Sequence, residues 1–167
     1  MNTYIFLYPE TSFFEVNLVA YFMKTQGNIW IVSEKENRIT TNEGIKIVAD
    51  ITLDQMRAED ADVFVVCGGN IENIIDMSVL HHTIRDCMNA GKIIGGICAG
   101  RDMVRNALAL QSRDEGTQVI ENRIILSPGN EYVDFALEIG RAADIYADEA
   151  DYQETVNYFK EFKEVLG

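Results

Sequence analysis

Histidine is nearly missing from this chain: His81 and His82 are the only two in 167 residues. Cysteine is sparse as well, with Cys67, Cys87 and Cys98 scattered at no framework spacing. Together these residues make no zinc-ligand pattern, so neither a metal nor a cofactor is expected. An odd, unpatterned cysteine count points to a reducing compartment rather than a disulfide scaffold. Basic residues are also short: 14 Lys and Arg stand against 27 Asp and Glu, for a formal net charge of -13 at pH 7. That balance argues against nucleic acid, whose phosphates want Lys and Arg, and against an anionic membrane surface. The opening MNTYIFLYPE lacks a basic n-region, and its apolar run is too short for a signal sequence or a membrane span. A cytoplasmic protein is therefore expected. No repeat, low-complexity run or linker divides the chain, so residues 1–167 read as a single domain.

What is present is an alternation of short apolar runs and amphipathic stretches. Tyr4 to Leu7, Ile29 to Val32, Val63 to Val66 and Ile93 to Ile97 read as strands. VFVV at 63–66 is apolar throughout, the mark of a strand buried on both faces. Ser12-Phe13-Phe14-Glu15 reads as a capping box opening a helix, with Phe14, Leu18 and Phe22 on one face. Ile45 to Val48 pairs as a hairpin with Arg38-Ile39 or stands as a strand of its own. Leu53 to Met56 reads as a short helical piece, and Ile71 to Ala90 as one or two helices. Gln111 to Gly116 is a polar loop. Gln118 to Ile120 and Ile124 to Leu126 form a hairpin, and helices follow at Tyr132 to Ala143 and Tyr152 to Leu166. Strands alternating with helices imply an α/β sandwich with a mostly parallel sheet.

One stretch carries the chemistry. Ile93 to Gly100 reads IIGGICAG: strand, sharp turn, then a helix over Arg101 to Leu110, with Cys98 at the apex. Gly96 and Gly100 flank Cys98 at minus two and plus two, as a nucleophile elbow needs small residues around a tight turn. A helix N-terminus behind the sulfur is expected to favour the thiolate. A second strand end, Cys67-Gly68-Gly69-Asn70, falls on the same edge of a parallel sheet. If the two ends are neighbours, a backbone N–H from Gly68-Gly69 and that of Ala99 would make an oxyanion hole. Glu15 is either the third helical residue of the capping box or a carboxyl group reaching Cys98. Arg101, at the start of the helix, is a candidate to face an anion. His81 and His82 read as helix-surface residues, Cys87 as core, and Cys67 as buried beside the glycine turn, where it could also resolve an oxidised Cys98.

These pieces in this order — YPE after the first strand, Glu15, VFVVCGGN, IIGGICAG and IILSPGNEYVDFAL — resemble the ThiJ/PfpI family of the class I glutamine amidotransferase-like superfamily. The resemblance runs from Tyr4 to about Leu110 and resumes from Ile124 to Leu137. It implies a flavodoxin-like three-layer sandwich, a homodimer and a reactive elbow cysteine acting on a small-molecule substrate. Cys98 matches the family's nucleophile, Glu15 the acidic residue that hydrogen-bonds its sulfur, and Gly69 and Ala99 the backbone donors. The chain departs from the pattern in four places. Cys67 stands where proline is common, Arg101 stands where a smaller residue or proline is usual, the segment between Leu110 and Ile124 is short, and no histidine follows His82. Three readings stay open. Cys98 and Glu15 serve a hydrolase, hydratase or glyoxalase-type enzyme; or Cys98 is the oxidised centre of a redox- or stress-responsive protein; or the chain is a catalytically reduced binding scaffold.

Overall fold

A computed structural model describes residues 1–35, 37–111 and 116–163. Its strands are β1 (Asn2–Phe6), β2 (Asn28–Ser33), β3 (Arg38–Thr40), β4 (Lys46–Val48), β5 (Ile51–Thr52), β6 (Val63–Val66), β7 (Ile93–Ile97), β8 (Gln118–Ile120) and β9 (Ile124–Ser127). Its α-helices are α1 (Phe14–Met23), α2 (Ser78–Asn89), α3 (Ala99–Leu108), α4 (Tyr132–Ala142) and α5 (Glu149–Phe159). Seven strands form one sheet in the order β5-β2-β1-β6-β7-β9-β8. Every pairing in it is parallel except β8 with β9, and β3 and β4 form a separate antiparallel hairpin.

The sheet is covered on both faces. Phe6, Phe64, Val66 and Ile94 point to a layer containing Leu80 and Ile84 of α2 and Met103 and Val104 of α3. Ile5, Val65, Ile97 and Ile125 point the other way, to Val16 and Val19 of α1 and Phe135 and Ile139 of α4. Alternate residues of one strand thus enter two apolar layers, which is why the central strands carry almost no polar side chain. The helix α5 adds an outer layer on that second side, with Phe159 edge-on to Phe22 at 5.0 Å.

Several local expectations are corrected. The capping box does not form: Phe13 is the N-cap of α1, and it makes no side-chain cap bond. The Ser12 hydroxyl instead accepts from the Asn42 side chain at 3.1 Å. Phe14 is exposed, and the buried stripe of α1 is Glu15, Val16, Val19, Phe22 and Met23. Leu53 to Met56 is a turn, not a helix, whereas Ile71 to Ala90 is two helical pieces as expected, a 3-10 turn at Ile71–Asn73 and then α2. The helix after the elbow begins at Ala99, two residues earlier than expected, and ends at Leu108. The last helix ends at Phe159 rather than Leu166. Residues 112–115 of the expected polar loop and residues 164–167 lie outside the described residues.

Two glycines let α3 sit directly on the sheet. A Cβ at Gly100 would fall 2.1 Å from the Val66 carbonyl oxygen, and one at Gly96 would fall 2.7 Å from the Gly100 oxygen. Backbone cannot yield as a flexible side chain can, so Gly100→Ala is expected to cost at least the ~1–3 kcal/mol of ordinary overpacking. Urea unfolding of the variant against wild type measures it, and an unchanged midpoint would contradict the close approach.

Candidate active site

The site lies where the carboxyl ends of β6, β7 and β9 meet. Parallel pairing aligns Val66 with Gly96 and Gly96 with Leu126, so three chain ends arrive side by side. Cys98 follows β7 directly. Its N–H donates to the Ser127 carbonyl at 2.9 Å, and its carbonyl accepts from the Arg101 N–H at 3.0 Å. It is the N-cap of α3 at φ 54 and ψ -122, a left-handed conformation that costs a non-glycine residue about 1–3 kcal/mol. The surrounding pairing holds it there, and the thiol stands half-buried at the rim.

Glu15 reaches the same point from another element because two turns are clamped together. The Thr11 hydroxyl donates to the Gly68 carbonyl at 2.8 Å, the Ser12 N–H donates to the same oxygen at 2.9 Å, and Thr11 and Gly69 form an isolated antiparallel bridge. Gly69, at φ 141, fits only because it has no Cβ, which would lie 2.4 Å from the Glu10 carbonyl oxygen. The clamp delivers the first turn of α1 to the mouth of the glycine turn. A Cβ at Gly68 would fall 2.0 Å from Glu15 Oε2 and 2.5 Å from the Cys98 Cβ. On the opposite side, a Cβ at Gly129 would fall 2.8 Å from Glu15 Oε1 and 3.2 Å from the Cys98 Cβ. The carboxyl group and the thiol therefore share a slot between two glycines.

The electrostatics follow from that slot. Glu15 is 4 % exposed, and burial raises its pKa to about 6 against the opposing pull of the Cys98 thiol and the Gly68 N–H. Its Oε2 is enclosed without a well-formed hydrogen bond, which leaves the charged form poorly solvated. Burial, and then the Glu15 charge, also raise the Cys98 pKa, while the N–H groups of Ala99 and Gly69 pull it down. The expectation of a thiolate favoured by the helix N-terminus is corrected: a carboxylate in contact with the sulfur, together with desolvation, outweighs two amides.

The structure thus brings Cys98, Glu15, Gly69 and Ala99 together. The Arg101 side chain pairs with Asp102, its Nε 3.5 Å from Asp102 Oδ1. His81 and His82 lie on α2, where His81 Nε2 meets the Ile75 carbonyl at 3.3 Å. Cys67 is fully buried, and its thiol donates to the Ser12 carbonyl at 3.3 Å.

Three contributors escape sequence reasoning. Gly129 walls the slot, and only its small size beside Pro128 hinted at a close approach. Tyr8 is 1 % exposed with a hydroxyl that has no partner among the described residues, in the electrostatic reach of Cys67, Cys98 and Glu15. Thr117, Ser127 and Glu131 form a network beneath Gly129: the Thr117 N–H donates to Glu131 Oε2 at 2.6 Å, and the Thr117 and Ser127 hydroxyls lie 2.6 Å apart. No local motif announces either of the last two, because each depends on which strand ends become neighbours.

Glu15→Gln removes the charge that holds the thiol protonated. The variant's Cys98 is expected to alkylate faster than wild type with iodoacetamide at pH 7, with a lower apparent pKa in a rate–pH profile. An unchanged or raised pKa would contradict this placement. Stability responds too. Because the folded pKa of Glu15, about 6, lies above its unfolded 4.5, its contribution is full below the lower value and is lost as pH rises through the upper. A shift of this size is worth about 2 kcal/mol at full burial, and solvent at the rim lowers it to about 1 kcal/mol. Wild type is therefore expected to lose about that much against Glu15→Gln on going from acid to neutral pH. Denaturant titrations of both proteins at the two pH values read the difference.

Comparison with known proteins agrees with the architecture. The model of the DJ-1/PfpI family matches residues 1–142. The "Uncharacterized protease YoaZ" of Bacillus subtilis is 23% identical over 158 residues, covering 80% of this chain and 75% of that one. Among solved structures, the DJ-1 superfamily protein Atu0886 of Agrobacterium tumefaciens superimposes with a TM-score of 0.85 at 19% identity, over 98% of this chain and 100% of its own. Drosophila melanogaster DJ-1beta gives a TM-score of 0.74 at 19% identity, over 94% and 96% of the two chains. With its flavodoxin-like α/β sandwich and a family match over most of its length, this chain belongs to the DJ-1/PfpI family.

Proposed function

We propose that the chain acts through Cys98 as a nucleophile and Glu15 as its proton partner, on a small electrophilic carbonyl, amide or isocyanide-like substrate. The observation that carries this reading is the shared slot of thiol and carboxyl group between Gly68 and Gly129. A carboxylate with a pKa of about 6 is ionised at neutral pH. It takes the Cys98 proton as the sulfur attacks the electrophilic carbon. Once protonated, it is acidic enough to return that proton to an alkoxide, amine or carbanion. Both histidines lie on α2, where His81 Nε2 meets the Ile75 carbonyl, and the relay proposed here uses no imidazole. The N–H groups of Ala99 and Gly69 face the sulfur and would also steady negative charge forming beside it. The relative named as an uncharacterized protease brings amide hydrolysis within this class, where Glu15 would protonate the leaving amine.

A second reading has its own support. The two amides are aimed at the sulfur itself, and a carboxyl group beside them would donate to a sulfur-bound oxygen. The same atoms suit a cysteine that is oxidised to sulfenic or sulfinic acid.

The enzyme reading expects a dissociation in one variant. Glu15→Gln should lose about 10²–10⁴-fold in turnover through loss of the proton relay, even though its thiol alkylates faster. Cys98→Ser should lose all turnover. Panels of α-ketoaldehydes, amides and isocyanides give the measurement, and activity equal to a Cys98→Ser control throughout would dismiss the enzyme reading for those classes.

A further inference from the structure

We propose that Cys67 and Cys98 form a reversible disulfide that closes the site when Cys98 is oxidised by a hydroperoxide. The inference rests on the reactive-cysteine reading above and adds a second thiol to it.

The geometry comes from the strand register. Val66 of β6 pairs with Gly96 of β7; carried one residue past that last pair, the register sets Cys67 opposite Ile97 and diagonal to Cys98. Neighbouring strands about 4.8 Å apart, with about 3.3 Å of rise per residue, put diagonal Cα atoms about 6 Å apart. That falls inside the range of about 4.4–6.8 Å which a disulfide spans. The side chains share a face: Cys67 and Ile97 belong to the apolar layer under α1 and α4, and Cys98 packs against the same layer. The linking residue Gly68 already presses on Cys98, since its missing Cβ would sit 2.5 Å from that of Cys98. Cys87 belongs to the opposite layer, which leaves Cys67 as the thiol on the Cys98 side.

The chemistry closes without a further reagent. The Glu15 carboxylate takes the Cys98 proton, and the sulfur attacks the hydroperoxide. The O–O bond breaks, and the departing oxygen leaves as an alcohol or water with the proton returned from Glu15. Cys98 is then a sulfenic acid. In the second step the Cys67 thiol leaves the Ser12 carbonyl and gives its proton to Glu15. Its sulfur attacks Cys98, the S–O bond breaks, and water leaves with that proton. Two thiols and one hydroperoxide become one disulfide, one alcohol or water from the peroxide, and one water. Burial and the neighbouring Glu15 charge hold the Cys67 thiol protonated at rest. It is therefore a poor nucleophile until the carboxylate accepts its proton, and this keeps it silent toward other electrophiles.

The disulfide would draw the Gly68-Gly69 turn onto the elbow and remove the nucleophile, so it acts as an off-switch for any thiol chemistry at Cys98. The experiment is peroxide titration of the intact chain, followed by denaturing alkylation and peptide mapping. Loss of two hydrogens per chain, with the peptides of Cys67 and Cys98 linked and restored by dithiothreitol, is the expected result. Cys87→Ser should retain the link. Cys67→Ala should lose it and carry Cys98 on to the two-oxygen sulfinic product, in a variant checked for native circular dichroism. If wild type accumulates that sulfinic product while Cys67 is recovered as a free thiol, the disulfide is overturned and the reactive cysteine stands. If Cys98 takes neither peroxide nor iodoacetamide, both readings fall.

Discussion

The site depends on one backbone constraint, the left-handed turn at Cys98. A non-glycine residue at φ 54 persists only when its surroundings leave it no alternative. Here the Cys98 N–H is tied to the end of β9 through Ser127, and the following helix is seated on β6 at Gly100. Relaxing the turn would break a sheet-end hydrogen bond and lift α3 from the sheet. The strain is therefore borne by the parallel core, and its result is a thiol standing clear of its own backbone. Gly96 and Gly100 serve this function through space rather than flexibility, since any Cβ there meets backbone or a packed side chain.

Held in that position, the sulfur meets a carboxyl group carried by α1, which follows β1, the strand just beyond β6 in the sheet order. The clamp between residues 10–12 and 67–70 brings α1 to the slot, and the slot then sets the chemistry. Desolvation raises both acids; the Glu15 charge raises Cys98 further, while the hydrogen bond from the Cys98 thiol pulls Glu15 back down. Burial and the Glu15 charge together keep the proton on the sulfur. This arrangement replaces the thiolate expected from a helix N-terminus with a thiol held against a carboxyl group.

Much of the frame was legible in the chain. Continuous apolar runs such as VFVV mark strands covered on both sides, and the alternation with amphipathic stretches leads to a parallel sheet. The G-x-C-x-G spacing locates the elbow because tight turns admit few residue types. Local rules failed where tertiary contacts outvoted them. Ser12 and Glu15 have the spacing of a capping box, yet the Ser12 hydroxyl pairs with Asn42 and the Glu15 side chain is drawn into the slot. Phe14 has the hydrophobicity of a core residue but faces outward, because burying Glu15 and Val16 rotates α1 about its axis. Tyr8 and the Thr117–Ser127–Glu131 network have no local signature, and the SPG turn shows no more than that Gly129 enters a helix, since their partners are distant in sequence.

The amino-acid sequence by itself determined the layers, the parallel sheet and the position of the elbow cysteine. These follow from hydrophobic periodicity and the steric demands of a turn, which act over a few residues. Only the tertiary structure decided what the cysteine meets. The Cys98 environment is assembled from Glu15 on α1, Gly68 and Gly69 after β6, and Gly129 after β9, segments that come together only through strand register. The balance between thiol and thiolate depends on the burial and charge of those neighbours, and desolvation is a property of the assembled slot that no stretch of sequence carries alone.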